Sequence, residues 1–125
     1  MSAQAPPTSQ SLEALAEANR IRWAMGRYRK QIRELGFFAG ASFAATLLED
    51  PDDIVARMKV GYLLRSVHRI GTKRAERIAA LADTTLSRKV GPLERKPYEK
   101  APLTLRQRSI LVAHLRSLAR EDEPE

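Results

Sequence analysis

Cysteine is absent from this 125-residue sequence, so neither a disulfide nor a thiolate metal site can form. Two histidines, His68 and His114, are too few for a zinc site of the usual kind. No apolar run approaches the roughly 20 residues that span a bilayer. The start, MSAQAPPTSQ, lacks the basic and apolar regions of a secretory signal. Aromatic residues make up 6% of the chain, and none accompanies its main basic cluster. No paired carboxylates suggest acid–base catalysis: Asp52 and Asp53 read as helix-capping residues, and His68 as a surface or phosphate-side residue rather than a general base. A chain of this length buries a modest core and leaves little room for an internal cleft. The expectation is a soluble, cytoplasmic protein with no cofactor, no metal, no membrane contact and no enzymatic activity.

What is present is positive charge, and its placement says more than its total of +7. Residues 57–100 carry twelve Lys/Arg against four acids, residues 1–56 six against seven, and residues 101–125 four against four. The whole excess lies in the middle of the chain. A merely solvating surface would spread it, so the localisation argues for an anionic partner.

Residues 1–10 are rich in Ala, Pro, Ser and Gln and are expected to be disordered. From Ser11, a plausible N-cap, a helix is predicted to about Leu35. Ile21, Met25, Tyr28, Ile32 and Leu35 form its apolar stripe, with Arg20, Arg22, Arg27, Arg29, Lys30 and Arg33 on the other faces. Trp23 lies off the stripe and is expected to pack under a neighbouring segment rather than stack on a base. Leu35 to Gly40 breaks the pattern, with Gly36 as C-cap. Ser42 is expected to cap a short helix over 43–49, ended by Asp50-Pro51. Asp52 or Asp50 caps the next, over about 53–58. No strand-like alternation appears, so the class is all-α: a long N-terminal helix followed by a compact set of short ones.

The chain is organised around residues 60–82, VGYLLRSVHRIGTKRAERIAALA. An apolar helix is predicted over 60–67, and a second from Thr72 on the spacing of Ala75, Ile78, Ala79 and Ala82. Gly71 between them is expected to take φ > 0 and reverse the chain. The first amides of the second helix have no intrahelical acceptor and form an anion site with the helix dipole. Arg69, Lys73, Arg74 and Arg77 surround it. An ordinary solvated helix connection would also place glycine before basic residues, and this plainer reading stands beside the functional one. After the hairpin, Arg88 and Lys89 sit in a turn-rich basic connection, and 94–102 reads as an exposed loop. Thr104 with Gln107 makes a capping box for a last helix whose face is Ile110, Leu111, Leu115 and Leu118. Arg106 and Arg108 near its start oppose the helix dipole, which either a nearby phosphate or a tolerant free end would explain. A single helical domain over 11–119 with an acidic tail over 120–125 is expected.

Arg57-Met58-Lys59-Val60, Leu63-Leu64, Ile70-Gly71-Thr72-Lys73-Arg74-Ala75 and Ile78, following a basic helix and two short ones, resemble the actinobacterial integration host factors. These are small nucleoid proteins of mycobacteria and streptomycetes. The resemblance covers roughly residues 18–93 and resumes at 105–115; Gly-x-x-x-Ala alone also occurs in other helical hairpins and in ribosomal S13-like proteins. It implies an S13-like helix–two-turn–helix domain that binds duplex DNA with little sequence preference and bends or compacts it. In the nucleoid such a protein would act as a monomer, with phage integrase–DNA complexes as further partners. The family's phosphate-binding turn falls on Arg69, Gly71, Thr72, Lys73 and Arg74, with Arg77 and Lys59 beside it, and its basic post-hairpin segment on Arg88 and Lys89. Arg20, Arg27, Arg29 and Arg33 on the first helix offer a second DNA surface, or merely a solvated face. The alternative is an S13-like RNA-binding or ribosome-associated module, since phosphate contacts look alike for both nucleic acids. The 94–102 stretch looks inserted relative to compact members of the family.

Overall fold

Helical periodicity accounts for nearly the whole of the structure, a computed structural model that describes residues 9–93 and 102–120. Six helices are present among them: α1 (Ser9–Glu34), α2 (Gly36–Glu49), α3 (Asp53–Arg57), α4 (Val60–Ser66), α5 (Thr72–Leu81) and α6 (Leu105–Arg120). The fold is all-α, and the only β-type pairing among the described residues is one isolated antiparallel bridge between Lys59 and Lys89. The expected disorder of 1–8, the 94–101 part of the loop and the acidic tail over 121–125 lie outside the described residues.

The most extensive helix contact is between α2 and α6. It is built from small buried residues on one side, Ala41, Ala44 and Ala45, and larger ones on the other, Leu111, Val112, Leu115 and Leu118. Alanine faces let two helix axes approach closely, so α6 packs deep against α2. Leu63, Leu64, Met58, Val55 and Ile78 complete the core from the short helices. The capping box holds as drawn from the sequence: Thr104 N–H donates to Gln107 Oε1 and Gln107 N–H to Thr104 Oγ1, both at 3.0 Å.

Several boundaries differ from expectation. Helix α1 starts at Ser9, two residues before the proposed cap. Gly36 does end it with φ 83°, but α2 begins at Gly36 itself. The break expected over 35–40 is therefore a single residue, and Ser42 lies inside a helix instead of capping one. Gly40, despite the poor helix propensity of glycine, lies within α2. It is in fact the point of closest approach to α1, where an added Cβ would stand 2.9 Å from the Ile32 carbonyl oxygen. Tertiary burial overrides propensity there.

Asp52 caps α3, accepting from Val55 N–H at 2.8 Å, with its other oxygen taking the Tyr28 hydroxyl. That hydrogen bond, with partial burial and the carboxylate charge adding to it, pushes the Tyr28 pKa up to about 12. The tie fastens α1 to the start of α3. Arg108 is 4% exposed and donates to the carbonyls of Leu48, Val90 and Gly91 at 2.8, 3.0 and 3.1 Å. The arginine that opposes the dipole of α6 is thus a pin between α6, the end of α2 and the 90–91 segment, and a phosphate is not needed to explain it.

Candidate functional site

The hairpin turns on a different residue from the one its sequence suggests. Gly71 has φ −88° and ψ −174°, ordinary extended backbone, and serves as the N-cap of α5. The left-handed residue is Arg69, at φ 72°. It is the third residue of a four-residue turn closed by Ile70 N–H to Val67 O at 3.1 Å, the position where positive φ ordinarily calls for Gly or Asn. Val67 and Ile70 are buried and clamp the turn to the core, leaving His68 and Arg69 outside. A bulky residue held in this region costs about 1–2 kcal/mol, and such strain collects at functional sites. Between Val67 and Ile70 the burial of two flanking side chains overrules the glycine rule.

The start of α5 is open. Gly71, Thr72 and Lys73 are exposed, and Gly71 has no side chain to cap the first amides. The first intrahelical bond of the segment runs from Ala75 N–H to Gly71 O at 2.9 Å. The amides of Thr72, Lys73 and Arg74 come before it and carry the positive end of the helix dipole. Beside this end lies a hollow of about 490 Å³ floored by Val67, Ile70 and Gly71, with Arg33, Arg65, His68 and Arg69 around it. Arg33, from the last turn of α1, donates to the Arg65 carbonyl at 3.4 Å, and Arg65 donates through Nε to the Gly61 carbonyl at 3.1 Å. Arginines from three elements therefore line one hollow beside the helix start, although the Arg65 guanidinium itself is turned back onto α4. Arg65 was not singled out from the sequence; its only signal was its place one helical turn before Arg69.

The remaining candidate residues divide. Lys73 and Arg77 are exposed, one turn apart on α5, and extend the cationic surface. Arg74 is partly buried and lies 4.8 Å from the centre of the Phe37 ring, so it fastens α5 to the start of α2 more than it reaches outward. Arg29 stacks similarly over Tyr62 at 5.5 Å. Of the proposed second surface, only Arg33 joins the hollow. Arg27 stands about 9 Å back along α1, six residues at 1.5 Å each, and lines a different hollow with Tyr28, Gln31 and Asp52. The Arg20 guanidinium is taken by Glu17 at 2.6 Å, and this bond also holds the Glu17 carboxyl below the usual range.

Lys59 and Lys89 form the isolated bridge, flanked by Val60 N–H to Arg88 O at 2.8 Å and Val90 N–H to Met58 O at 2.9 Å. That pattern makes them a non-hydrogen-bonded pair, the arrangement that brings side chains closest. Two lysines directly opposite each other are destabilising unless an anion lies between or above them. Arg88 is partly buried and contributes its carbonyl to this bridge. The pair sits at the other end of α4 from the hollow, about 10 Å away along seven helical residues.

Among the described residues no acid is ion-paired with this surface. The ion pairs among the described residues are Glu17–Arg20, Glu34–Lys30, Asp53–Arg57 and Glu49–Arg116. None involves Arg33, Arg65, Arg69, Lys73, Arg77, Lys59 or Lys89. Among the described residues there is also no group of three His, Asp or Glu that could hold a metal ion, and no helix long and apolar enough to cross a membrane. No protein-family model, curated protein or solved structure matches the chain. Its likeness to the actinobacterial factors therefore rests on the motif residues alone.

Proposed function

We propose that this chain binds duplex DNA with little sequence preference, in the manner of the actinobacterial integration host factors it resembles. One observation carries the reading: an uncapped helix start at Gly71–Thr72 is ringed by Arg33, Arg65, Arg69 and Lys73, none paired with an acid among the described residues. Backbone amides and unpaired guanidinium groups at one point suit a phosphate, and contacts of that kind position a protein without reading bases. Lys59 and Lys89, at the other end of α4, supply a second grip. Two separated grips favour a duplex bent between them, because a bend of about 1–6 kcal/mol is offset only by added contacts. The nucleoid is the compartment such a protein would occupy.

The test is the salt dependence of binding to unrelated duplexes. Six cations on phosphates (Arg33, Arg65, Arg69, Lys73, Lys59 and Lys89) predict a slope of log K against log salt of about −5.4, or roughly a 2,000-fold loss between about 50 and about 200 mM. Replacing Arg69 and Lys73 by alanine reduces the slope by about two. A slope shallower than about −2, or one unmoved in the double variant, refutes the proposal. A structured RNA hairpin competing as well as duplex DNA at equal salt would shift the reading to the ribosome-associated alternative.

A further inference from the structure

Helix α1 carries two apolar faces, and the core uses one. Met25 and Tyr28 pack against the core and Ile32 is fully buried in it. The opposite side bears Leu12, Leu15 and Trp23, which are 52%, 55% and 76% exposed. Trp23 was expected to lie under a neighbouring segment; no segment of the described chain covers it. Spacings of three, four, four and three place Leu12, Leu15, Asn19, Trp23 and Gly26 on one side of the helix. Gly26 has no internal justification. A mid-helix glycine costs about 1 kcal/mol against alanine, yet nothing lies within 4 Å of where its Cβ would stand. An unfilled glycine beside an exposed tryptophan and two exposed leucines suits close approach by another helix.

We infer that this face pairs with the same face of a second copy, antiparallel, about a two-fold axis at Asn19. Leu15 and Trp23 lie four residues either side of Asn19, and Leu12 and Gly26 seven either side. The two-fold therefore sets each Leu15 against the partner's Trp23 and each Leu12 against the partner's Gly26, where the missing side chain admits it. This is the self-complementarity that an isologous contact requires. Charge selects the same direction. Glu13 and Arg27 flank the stripe on one side, and neither has an ion-pair partner among the described residues. Antiparallel pairing brings each Glu13 within reach of the partner's Arg27, twice per dimer, whereas parallel pairing sends these flanks to opposite edges of the contact and makes no such pair. A polyanion fits this face less well. Arg22, Arg27 and Lys30 surround Trp23, but the stripe continues through Leu12 and Leu15 past Glu13, whose carboxylate repels phosphate. The contact spans about 21 Å of helix, the small end of specific interfaces, so a dissociation constant on the order of 10 μM is expected. If the hairpin also grips phosphates as proposed above, such a dimer bridges two duplex segments; the pairing itself does not depend on that.

The experiment is sedimentation equilibrium of the nuclease-treated full chain from about 1 to about 200 μM without nucleic acid, read together with emission from its single tryptophan. A monomer–dimer equilibrium is expected, with emission moving to shorter wavelength over the same range. Trp23→Ala raises the dissociation constant about thirtyfold, as for a central aromatic anchor. Glu13→Arg and Arg27→Glu each weaken the dimer about tenfold, since each introduces two repulsive pairs, and the double reversal restores it to within about threefold. A chain that stays monomeric at about 200 μM overturns the inference. So does a double reversal no tighter than the singles, or an emission shift that appears only when duplex is added to a chain that remains monomeric.

Discussion

Replacing Gly71 by aspartate should stabilise the fold and weaken nucleic-acid binding at once. The backbone at Gly71, φ −88° and ψ −174°, nearly repeats that at Asp52, φ −79° and ψ −178°. There the aspartate side chain accepts from the amide three residues on at 2.8 Å. An aspartate at 71 finds open space and reaches the Arg74 amide in the same way. The added cap contributes a few tenths of a kcal/mol over glycine, its charge at the helix start about 0.3–1, and the loss of glycine's freedom in the unfolded chain about 0.4–1. A net gain of about 1 kcal/mol, or roughly 4 °C in Tm for a chain of this size, is expected by calorimetry. For binding, the carboxylate occupies the amides proposed to hold a phosphate and cancels one neighbouring cation. Losing a charge-assisted hydrogen bond worth about 1.5–3 kcal/mol lowers duplex affinity roughly 10- to 100-fold by fluorescence anisotropy, with a salt slope shallower by about one. Gly71→Ala adds neither cap nor charge and should leave binding within about threefold. A destabilised Gly71→Asp variant would mean that position 71 needs a left-handed backbone after all. A stabilised variant with undiminished affinity would place the phosphate elsewhere and refute the functional reading.

Three further outcomes follow from the same geometry. Lys89→Glu turns the opposed lysines into an opposite-charge pair, so urea unfolding should show a gain of about 0.5 kcal/mol while duplex affinity falls. Arg108→Met keeps the aliphatic volume but leaves the carbonyls of Leu48, Val90 and Gly91 without their donor; a loss of about 3 kcal/mol or more is expected in urea. Tyr28→Phe removes the bond to Asp52 and should cost about 1 kcal/mol at pH 8. Because the folded-state pKa is raised, to about 12 from 10.0, that contribution is complete below about pH 10 and lost as pH rises through about 12. The variant and parent should therefore converge in stability over that interval, and a constant difference would exclude the Tyr28–Asp52 bond as its source.

Much of the architecture is written locally. Apolar spacing predicted the helices of the hairpin to within a residue, the Thr104–Gln107 pair located the cap of α6, and Asp52 was one of two residues expected to cap α3. These features are legible because a helix and its first turn are decided by contacts within four positions along the chain. The uneven placement of charge was equally visible, since it is a property of composition.

Helical class, the hairpin and the region of cationic excess can thus be read from residue order alone. Which cations meet was decided only in three dimensions. Arg33 and Arg65 are 32 positions apart, Arg74 of α5 finds Phe37 at the start of α2, and Arg108 reaches Leu48 over 60 positions; pairings over such distances leave no local pattern to read. The choice of Arg69 over Gly71 as the left-handed residue belongs to the same class. Intrinsic preference favours glycine by only about 1–2 kcal/mol, and burying Val67 and Ile70 on either side of the turn offsets that amount. Local preference sets the elements, and the larger energy of packing decides which of their side chains are spent holding the fold and which remain free to bind.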